Sequence, residues 1–258
     1  MTTPIFSLIT VTYNAEKTVE RTLKSVKEQT YKNIEYIIID GISKDNTLHI
    51  VKKYQLNIPN FLCISEPDKG LYDAMNKGLQ QASGDYVWFL NAGDALHSST
   101  ILEQIAQQLS DCYSFGKPLP DVIYGETDII DENGDFVAHR RLKAPFKLNW
   151  KHFKMGMLVC HQSFIAKRNI APFYDLQYRF SSDFDWCIRC MKTAGIIHNT
   201  QLILSDYLNE GTTTTNRKAS LKERFAIMAH YYGCLPTAFR HLWFAIRFFT
   251  AKLFGRQL

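Results

Sequence analysis

Four β-rich apolar runs, each ending in a polar cluster and separated by helical patterns, constrain this chain more than any other feature. Ile5–Tyr13 ends at Asn14, Ile34–Ile39 at Asp40-Gly41, Phe61–Ile64 before Glu66-Pro67-Asp68, and Asp85–Leu90 at Asn91-Ala92-Gly93-Asp94. Between them, Ala15–Gln29 carries Val19, Leu23 and Val26 at helical spacing, Lys44–Tyr54 reads as a helix capped by Ser43, and Gly70–Ala82 reads as a third. The run Ile34–Ile39 is nearly continuous and β-branched, as a strand buried on both faces requires. Right-handed crossovers turn this alternation into a parallel sheet flanked by helices. In such sheets ligands bind beyond the carboxyl ends of the strands, so the four polar clusters are expected to converge on one crevice.

The second half reads differently. Asp121–Ile130 and Phe136–Leu142 flank the turn sequence Asp131-Glu132-Asn133-Gly134, which predicts a hairpin. Met155–Ala166 contains His161-Gln162. Ser182–Ala194 predicts a helix capped by Ser181 or Ser182, with Asp183 and Asp185 in its first turn. A β-rich run, Ile196–Leu204, and a loop of Gly211 with four threonines precede two helical stretches split by Pro236. The expected division is an α/β unit over residues 1–216 and a helical extension over 217–258.

The chain has 258 residues, enough for one large α/β domain. At 46% hydrophobic and 21% charged residues, global disorder and coiled coil are excluded. The net charge of +5 is uneven: residues 217–258 hold eight Lys/Arg against Glu223 alone, so the rest is near −2. A near-neutral domain with a basic tail does not read as a nucleic-acid binder. No run of about 18 apolar residues predicts a membrane span, and the start lacks a basic n-region, so a cytoplasmic protein with free thiols is expected. Cys187 and Cys190 then read as small buried helix residues rather than a metal or redox pair. Neither GxGxxG nor GxxxxGK[ST] occurs. Binding of a charged nucleotide therefore needs another device, and Asp94, aided by the amide oxygen of Asn91, offers hard oxygen ligands to Mg2+ or Mn2+. The same four residues also suit an ordinary Asx turn.

The ordered set Ser7–Asn14, Asp40–Thr47, Asn76-Lys77-Gly78 and Phe89–Asp94, with Glu66–Gly78 between, resembles the inverting family 2 glycosyltransferases of GT-A fold, in particular the bacterial surface-polysaccharide (colanic-acid-type) subgroup. The resemblance covers roughly residues 5–215. It implies a mostly parallel Rossmann-like sheet and a nucleotide-diphospho-sugar donor, most simply UDP-linked. It implies a nucleotide site at Val11, Tyr13, Asp40 and Asn76, with Tyr13 stacking and Asp40 accepting from the base. It implies a metal contact at Asp94 with Asn91, although Asn91 and Gly93 replace two acids usual in the family. Met75 stands where many relatives place a phosphate-neutralising Arg; Lys69 and Lys77 are the candidate replacements. Asp183 matches the catalytic base that an inverting transfer needs, while Asp185 reads rather as a helix-capping acid. His161 and Gln162 would border the acceptor, and Trp186 would stack on a sugar; Trp88 reads as core by strand spacing.

The implied activity is inverting sugar transfer to a saccharide or lipid-linked acceptor in surface polysaccharide assembly. A catalytically weak sugar-nucleotide binder of the same fold is the alternative, and retention of Asp183 argues against it. A nucleotidyltransferase would want a Gly-rich basic loop after the first strand, where Tyr13-Asn14-Ala15-Glu16 stands. Finally, Phe239, Leu242, Ile246, Phe249 and Leu253 line one face of the last helical stretch, with Trp243 and Phe254 at its edge and Arg240, Arg247, Lys252 and Arg256 outside it. That pattern fits an interfacial helix on the anionic inner face of the cytoplasmic membrane, or a stripe packed on the domain or on a second subunit of a homo-oligomer.

Overall fold

The structure is a computed structural model that describes residues 3–209 and 216–253. Four parallel strands form its first half: β1 (Phe6–Thr12), β2 (Ile34–Asp40), β3 (Phe61–Ser65) and β4 (Tyr86–Phe89). They are joined by α1 (Val19–Lys27), α2 (Thr47–Gln55) and α3 (Leu71–Gln81). The remainder adds β5 (Ala95–Leu96), α4 (Ile101–Gln108), α5 (Ser110–Ser114), β6 (Val122–Ile130), β7 (Phe136–His139), β8 (Phe164–Lys167), α6 (Ser182–Thr193), β9 (Ile197–Leu208), α7 (Arg217–Tyr232) and α8 (Cys234–Leu253). The sheet order is β3-β2-β1-β4-β8-β6-β9-β5, with β7 paired to β6.

The apolar strand runs are continuous because both faces are covered. On β1 and β2, Phe6, Leu8, Tyr36 and Ile38 pack with Val19, Leu23 and Val26 of α1 and Ile101, Leu102 and Ile105 of α4. Their alternates Ile9, Val11, Ile37 and Ile39 pack with α3, α6 and α7 on the other face. Each such fully buried side chain contributes about 1.5–3 kcal/mol of transfer free energy. Gly78 lets α3 sit close: a Cβ there would lie 2.4 Å from Ile9 Cγ2.

The expected parallel sheet holds over β3-β2-β1-β4 and then becomes mixed. β8 inserts antiparallel between β4 and β6, while β6 and β9 run parallel. Three local expectations need correction. α2 starts at Thr47 rather than Lys44, because the Ser43 side chain is drawn to Asp40 instead of capping a helix. Neither Ser181 nor Ser182 caps α6 through its side chain. Ser181 Oγ donates to Ser220 O and Ser182 Oγ to Asp175 O, while the Glu223 carboxylate of α7 accepts the N–H groups of Arg179, Phe180 and Ser181. The break between the last two helices lies at Gly233 (φ 90°), and Pro236 sits in the first turn of α8, where its missing N–H costs nothing.

Packing also divides the basic extension. Ile227 and Met228 of α7 are fully in the core, so that helix belongs to the domain. On α8, by contrast, Leu235, Phe239, Leu242, Trp243 and Ile246 are exposed. The side chains of Arg247, Phe249, Lys252 and Leu253, and residues Phe254 and Arg256, lie outside what the structure describes.

Candidate active site

The carboxyl ends of β1 and β2 build a rigid corner. Asp40 is fully buried and accepts four hydrogen bonds: from Thr12 Oγ1 (2.9 Å), Ser43 N (2.9 Å), Ser65 Oγ (2.7 Å) and Ser43 Oγ. Asn14 and Ser43 tie the two strand-end loops together, Asn14 N donating to Ser43 Oγ and Lys44 N to Asn14 Oδ1. Asn14 (φ 49°) and Ile42 (φ 58°) adopt left-handed backbone, at a cost of about 1–3 kcal/mol each for non-glycine residues. For the β-branched Ile42 that is a true outlier, so these bonds hold a shape the chain would not otherwise keep. Above this corner the Tyr13 ring is 64% exposed, and Val11 beneath it is buried. A Cβ on Gly41 would collide with Asp68 and touch the Tyr13 ring, which places Tyr13, Gly41 and Asp68 around one open surface. Asp68 belongs to the Glu66-Pro67-Asp68 cluster expected to converge at the strand ends, although the sequence alone assigns it no individual role.

The turn after β4 is fixed by Thr22 of α1, whose Oγ1 accepts from Gly93 N and donates to Asp94 O. Gly93 has φ 106°, and a Cβ there would lie 2.8 Å from Leu208 Cδ2. A side chain at this position is therefore both strained and obstructed, which is a physical reason for glycine where the family often has an acid. Asn91 contributes its backbone oxygen to the turn. Asp94 is buried; its Oδ1 accepts from Leu208 N at 2.9 Å, and its Oδ2 has no hydrogen-bond partner. Burial pushes its carboxyl up to about 7. The Gln162 amide lies near enough to oppose that rise, but it does not reach Oδ2 with hydrogen-bond geometry. An orphaned, desolvated carboxylate oxygen suits a divalent cation, and it fits the hard-ligand chemistry expected of this turn.

Asp183 opens α6, half-buried, with Oδ1 accepting from the Tyr72 hydroxyl at 3.0 Å. Burial, and then the Asp183 charge, raise the Tyr72 phenol well above its ordinary pKa, so it remains a donor. Tyr207 links the two acids: burial first, then the charges of Asp94, Cys160 and Asp183, push its phenol up to about 12. Asp94 and Asp183 therefore both lie within electrostatic reach of Tyr207. Asp185 does not: it is buried, paired with Arg189 Nε at 2.6 Å and accepting from Tyr231 OH at 2.7 Å, so it ties α6 to α7.

Several expected contacts take other roles. Asn76 exchanges two hydrogen bonds with the Tyr174 backbone (2.9 and 2.6 Å), pinning the 171–175 segment to α3. Trp186 is fully buried, parallel to Tyr174 at 5.2 Å, with its N–H donated to Pro172 O; it cannot offer a face to a sugar. Trp88 is core, as strand spacing predicts, and so are Cys187 and Cys190. His161 is buried, its Nε2 2.7 Å from the Tyr174 hydroxyl, and burial lowers its pKa, which keeps it neutral. Gln162 Oε1 accepts from Cys160 Sγ. Met75 is in the core, Lys77 is held by Glu66 at 2.9 Å, and Lys69 is exposed.

Tyr72 was not legible as a site residue, because its partner lies 111 positions away in sequence. Tyr72→Phe keeps the ring stacked on Tyr174 (5.5 Å, 20°) and removes only the donor. A hydrogen bond to a charged group is worth about 1.5–3 kcal/mol, so kcat is expected to fall by roughly tenfold or more while KM for the donor holds. An unchanged kcat would show that the bond does not position Asp183.

The mixed α/β sheet with its helices on both faces, carrying Tyr13 and Asp94 beyond its strand ends, has the architecture of a GT-A glycosyltransferase. A profile of the family described as Glycosyl transferase family 2 matches residues 7–171, and the chain belongs to that family of enzymes. It is 32% identical over 216 residues to a PGL/p-HBAD biosynthesis glycosyltransferase of Mycobacterium bovis, covering 81% of this chain and 78% of that protein. It is 27% identical over 232 residues to the Escherichia coli UDP-Glc:alpha-D-GlcNAc-diphosphoundecaprenol beta-1,3-glucosyltransferase WfgD, covering 88% of this chain and 86% of that protein. Among solved structures it resembles S. aureus TarS 1-349 in complex with UDP-GlcNAc (TM-score 0.70, 20% identity), covering 86% of this chain and 64% of that one. It also resembles the mannosyltransferase PcManGT from Pyrobaculum calidifontis in complex with GDP-Man and Mn2+ (TM-score 0.63, 14% identity), covering 93% and 74%.

Proposed function

We propose that this enzyme transfers a sugar from a UDP-linked donor, with inversion, to a saccharide or lipid-linked acceptor in surface polysaccharide assembly. The observation that carries this reading is the pair of acids in contrasting surroundings: Asp94 buried with an orphaned oxygen, Asp183 half-exposed and held by Tyr72. The name of the E. coli relative, with UDP-Glc and a diphosphoundecaprenol-linked acceptor, supports the substrate classes.

In this reading Tyr13 stacks on the base above a corner that the buried Asp40 holds in shape rather than meeting the base itself, and Gly41 makes room for Asp68 beside it. Asp94, with Asn91 beside it, would hold Mg2+ or Mn2+, which supplies charge neutralisation of the donor diphosphate. Asp183, with lone pairs not engaged by Tyr72, accepts the proton of the attacking acceptor hydroxyl as its oxygen bonds to the anomeric carbon and the bond to the diphosphate breaks. Attack from the side opposite the leaving group inverts the anomeric centre. Neutral His161 and Gln162 border the acceptor side. Incubation with UDP-hexoses and a polyprenyl-diphosphate sugar, with the product anomer read by NMR, tests the reading. A retained anomeric configuration, or no turnover with any UDP-sugar, overturns it.

The exposed apolar face of α8 belongs to the same proposal. No described helix is long and apolar enough to cross a membrane. Phe239, Leu242, Trp243 and Ile246 nevertheless present aromatic and aliphatic surface to solvent, in a segment that carries Arg240 and Arg247. A peripheral anionic membrane contact would bring the enzyme to a lipid-linked acceptor. The full chain is expected to co-sediment with phosphatidylglycerol vesicles, and a truncation before Pro236 to lose most of that binding. Equal sedimentation of both forms, or of neither, removes the membrane reading in favour of protein packing.

A further inference from the structure

We propose a second divalent-metal site, formed by His97, Asp128 and Asp206 with His139 beside them, separate from the Asp94 turn and independent of the glycosyl-transfer reading. Ligating atoms of His97, Asp128 and Asp206 lie within 4.8 Å of one another. The sheet assembles them in one row. Asp206 of β9 is opposite Ala95 of β5 and beside Asp128 of β6, which is opposite His139 of β7. His97 directly follows β5, its N–H bonded to Leu204 O at 3.1 Å.

Charge makes this row unusual. Asp128 and Asp206 are register neighbours on adjacent strands, an arrangement that like charges oppose. Among the described residues no lysine or arginine forms an ion pair with either. Their recorded partners are imidazoles: His97 Nδ1 is 2.7 Å from Asp206 Oδ1, and His139 Nδ1 is 2.8 Å from Asp128 Oδ1. Asp128 is nearly buried, so its charge is poorly served by water.

The row is distinct from the reaction cleft. Its sequence neighbours Thr127 and Ser205 both hydrogen-bond to Ser163, next to His161 and Gln162. Successive strand residues point to opposite faces, so Asp128 and Asp206 face the side of the sheet covered by α1 and α4. Leu204, two residues before Asp206, packs in that core.

Imidazole nitrogen with two carboxylates selects a first-row transition ion, Zn2+ above all, over Mg2+. Bonds of 2.0–2.2 Å place tetrahedral ligands about 3.4 Å apart. The His97–Asp206 pair would open slightly and Asp128 would close in, which rotamer adjustment allows. An ion there would clamp β5, only two residues long, to β9 and β6.

The test uses the full chain stripped with EDTA and titrated with Co2+, then Zn2+. One equivalent of Co2+ should give visible d–d bands that Zn2+ displaces. His97→Ala and the near-isosteric Asp206→Asn should each weaken Co2+ binding at least ~10-fold, the scale of losing even an outer partner, while Asp94→Asn retains the bands. Circular dichroism in EDTA checks the fold of each variant, and Asp206→Asn decides if His97→Ala does not fold. Absence of Co2+ bands, unchanged affinity in Asp206→Asn, or loss of the bands only in Asp94→Asn would each overturn the site and leave the row as two His–Asp hydrogen bonds.

Discussion

Replacing Asp183 with asparagine is expected to lower kcat at least ~10²-fold, the low end of general acid–base effects, with donor binding intact. The substitution is nearly isosteric, and its amide oxygen still accepts from Tyr72, so the local geometry survives. The stability cost is confined to a lost favourable charge at the start of α6, about 0.3–1 kcal/mol. Asp185→Asn supplies the contrast. Asp185 is buried between Arg189 and Tyr231, so its loss should cost stability, on the order of 3 kcal/mol for breaking a buried pair, while turnover per folded molecule remains. Steady-state kinetics beside thermal melts separate the two carboxylates. Near-normal kcat in Asp183→Asn would move the base elsewhere.

This contrast also shows what a one-dimensional pattern can carry. Asp183 and Asp185 share a helix start, and only the resemblance, not their spacing, gave Asp183 the role of base and Asp185 a capping role. The difference comes from α7, whose Tyr231 reaches Asp185 from 46 positions away. The first half of the fold was legible because its signals are local: apolar runs, turn residues and helical spacing between β1 and β4. In the second half the hairpin, α6 and β9 were legible in the same way, but the sheet order was not, because inserting β8 antiparallel between β4 and β6 depends on pairing across 77–81 and 40–44 positions. Site residues divide in the same way. Asp40, Asp94 and Tyr13 follow strands, so alternation of elements alone sets them at the carboxyl ends, although Asp40 and Asp94 are buried there and Tyr13 is exposed. Asn76 and Trp186 were misplaced because their partners, the Tyr174 backbone and ring, lie in an irregular segment with no periodic signal. His97, Asp128, Asp206 and His139 are scattered singly through the sequence, and only strand register brings them into a row.

Asp94→Asn should change sign of effect with conditions. In the metal-free protein, burial holds the Asp94 carboxyl at about 7, above its ordinary value of 3.8. Below about pH 4 both folded and unfolded chains keep the proton, and the group is neutral to stability. Between the unfolded value and about 7 the unfolded chain releases its proton while the folded one retains it. The unfolded state then binds fewer protons, and stability falls as pH rises through that window, levelling off above it. Some three pH units correspond to a penalty on the order of 4 kcal/mol. Asparagine escapes this penalty but brings an amide that itself needs a partner, at about 1–3 kcal/mol. The variant in EDTA at pH 8 should therefore be more stable than the parent by roughly 1–3 kcal/mol, with no gain at pH 4. Adding Mn2+ and UDP reverses the order: a ligand at 100 times its Kd stabilises the parent by about 2.7 kcal/mol, and the variant, lacking the carboxylate, gains far less. The same variant should lose transfer activity. Thermal melts at the two pH values, with EDTA and with Mn2+ plus UDP, read all of this in one experiment. Equal Mn2+-dependent stabilisation of parent and variant would remove Asp94 from the metal site, and equal stability in EDTA at pH 8 would show that its carboxylate is not strained by burial.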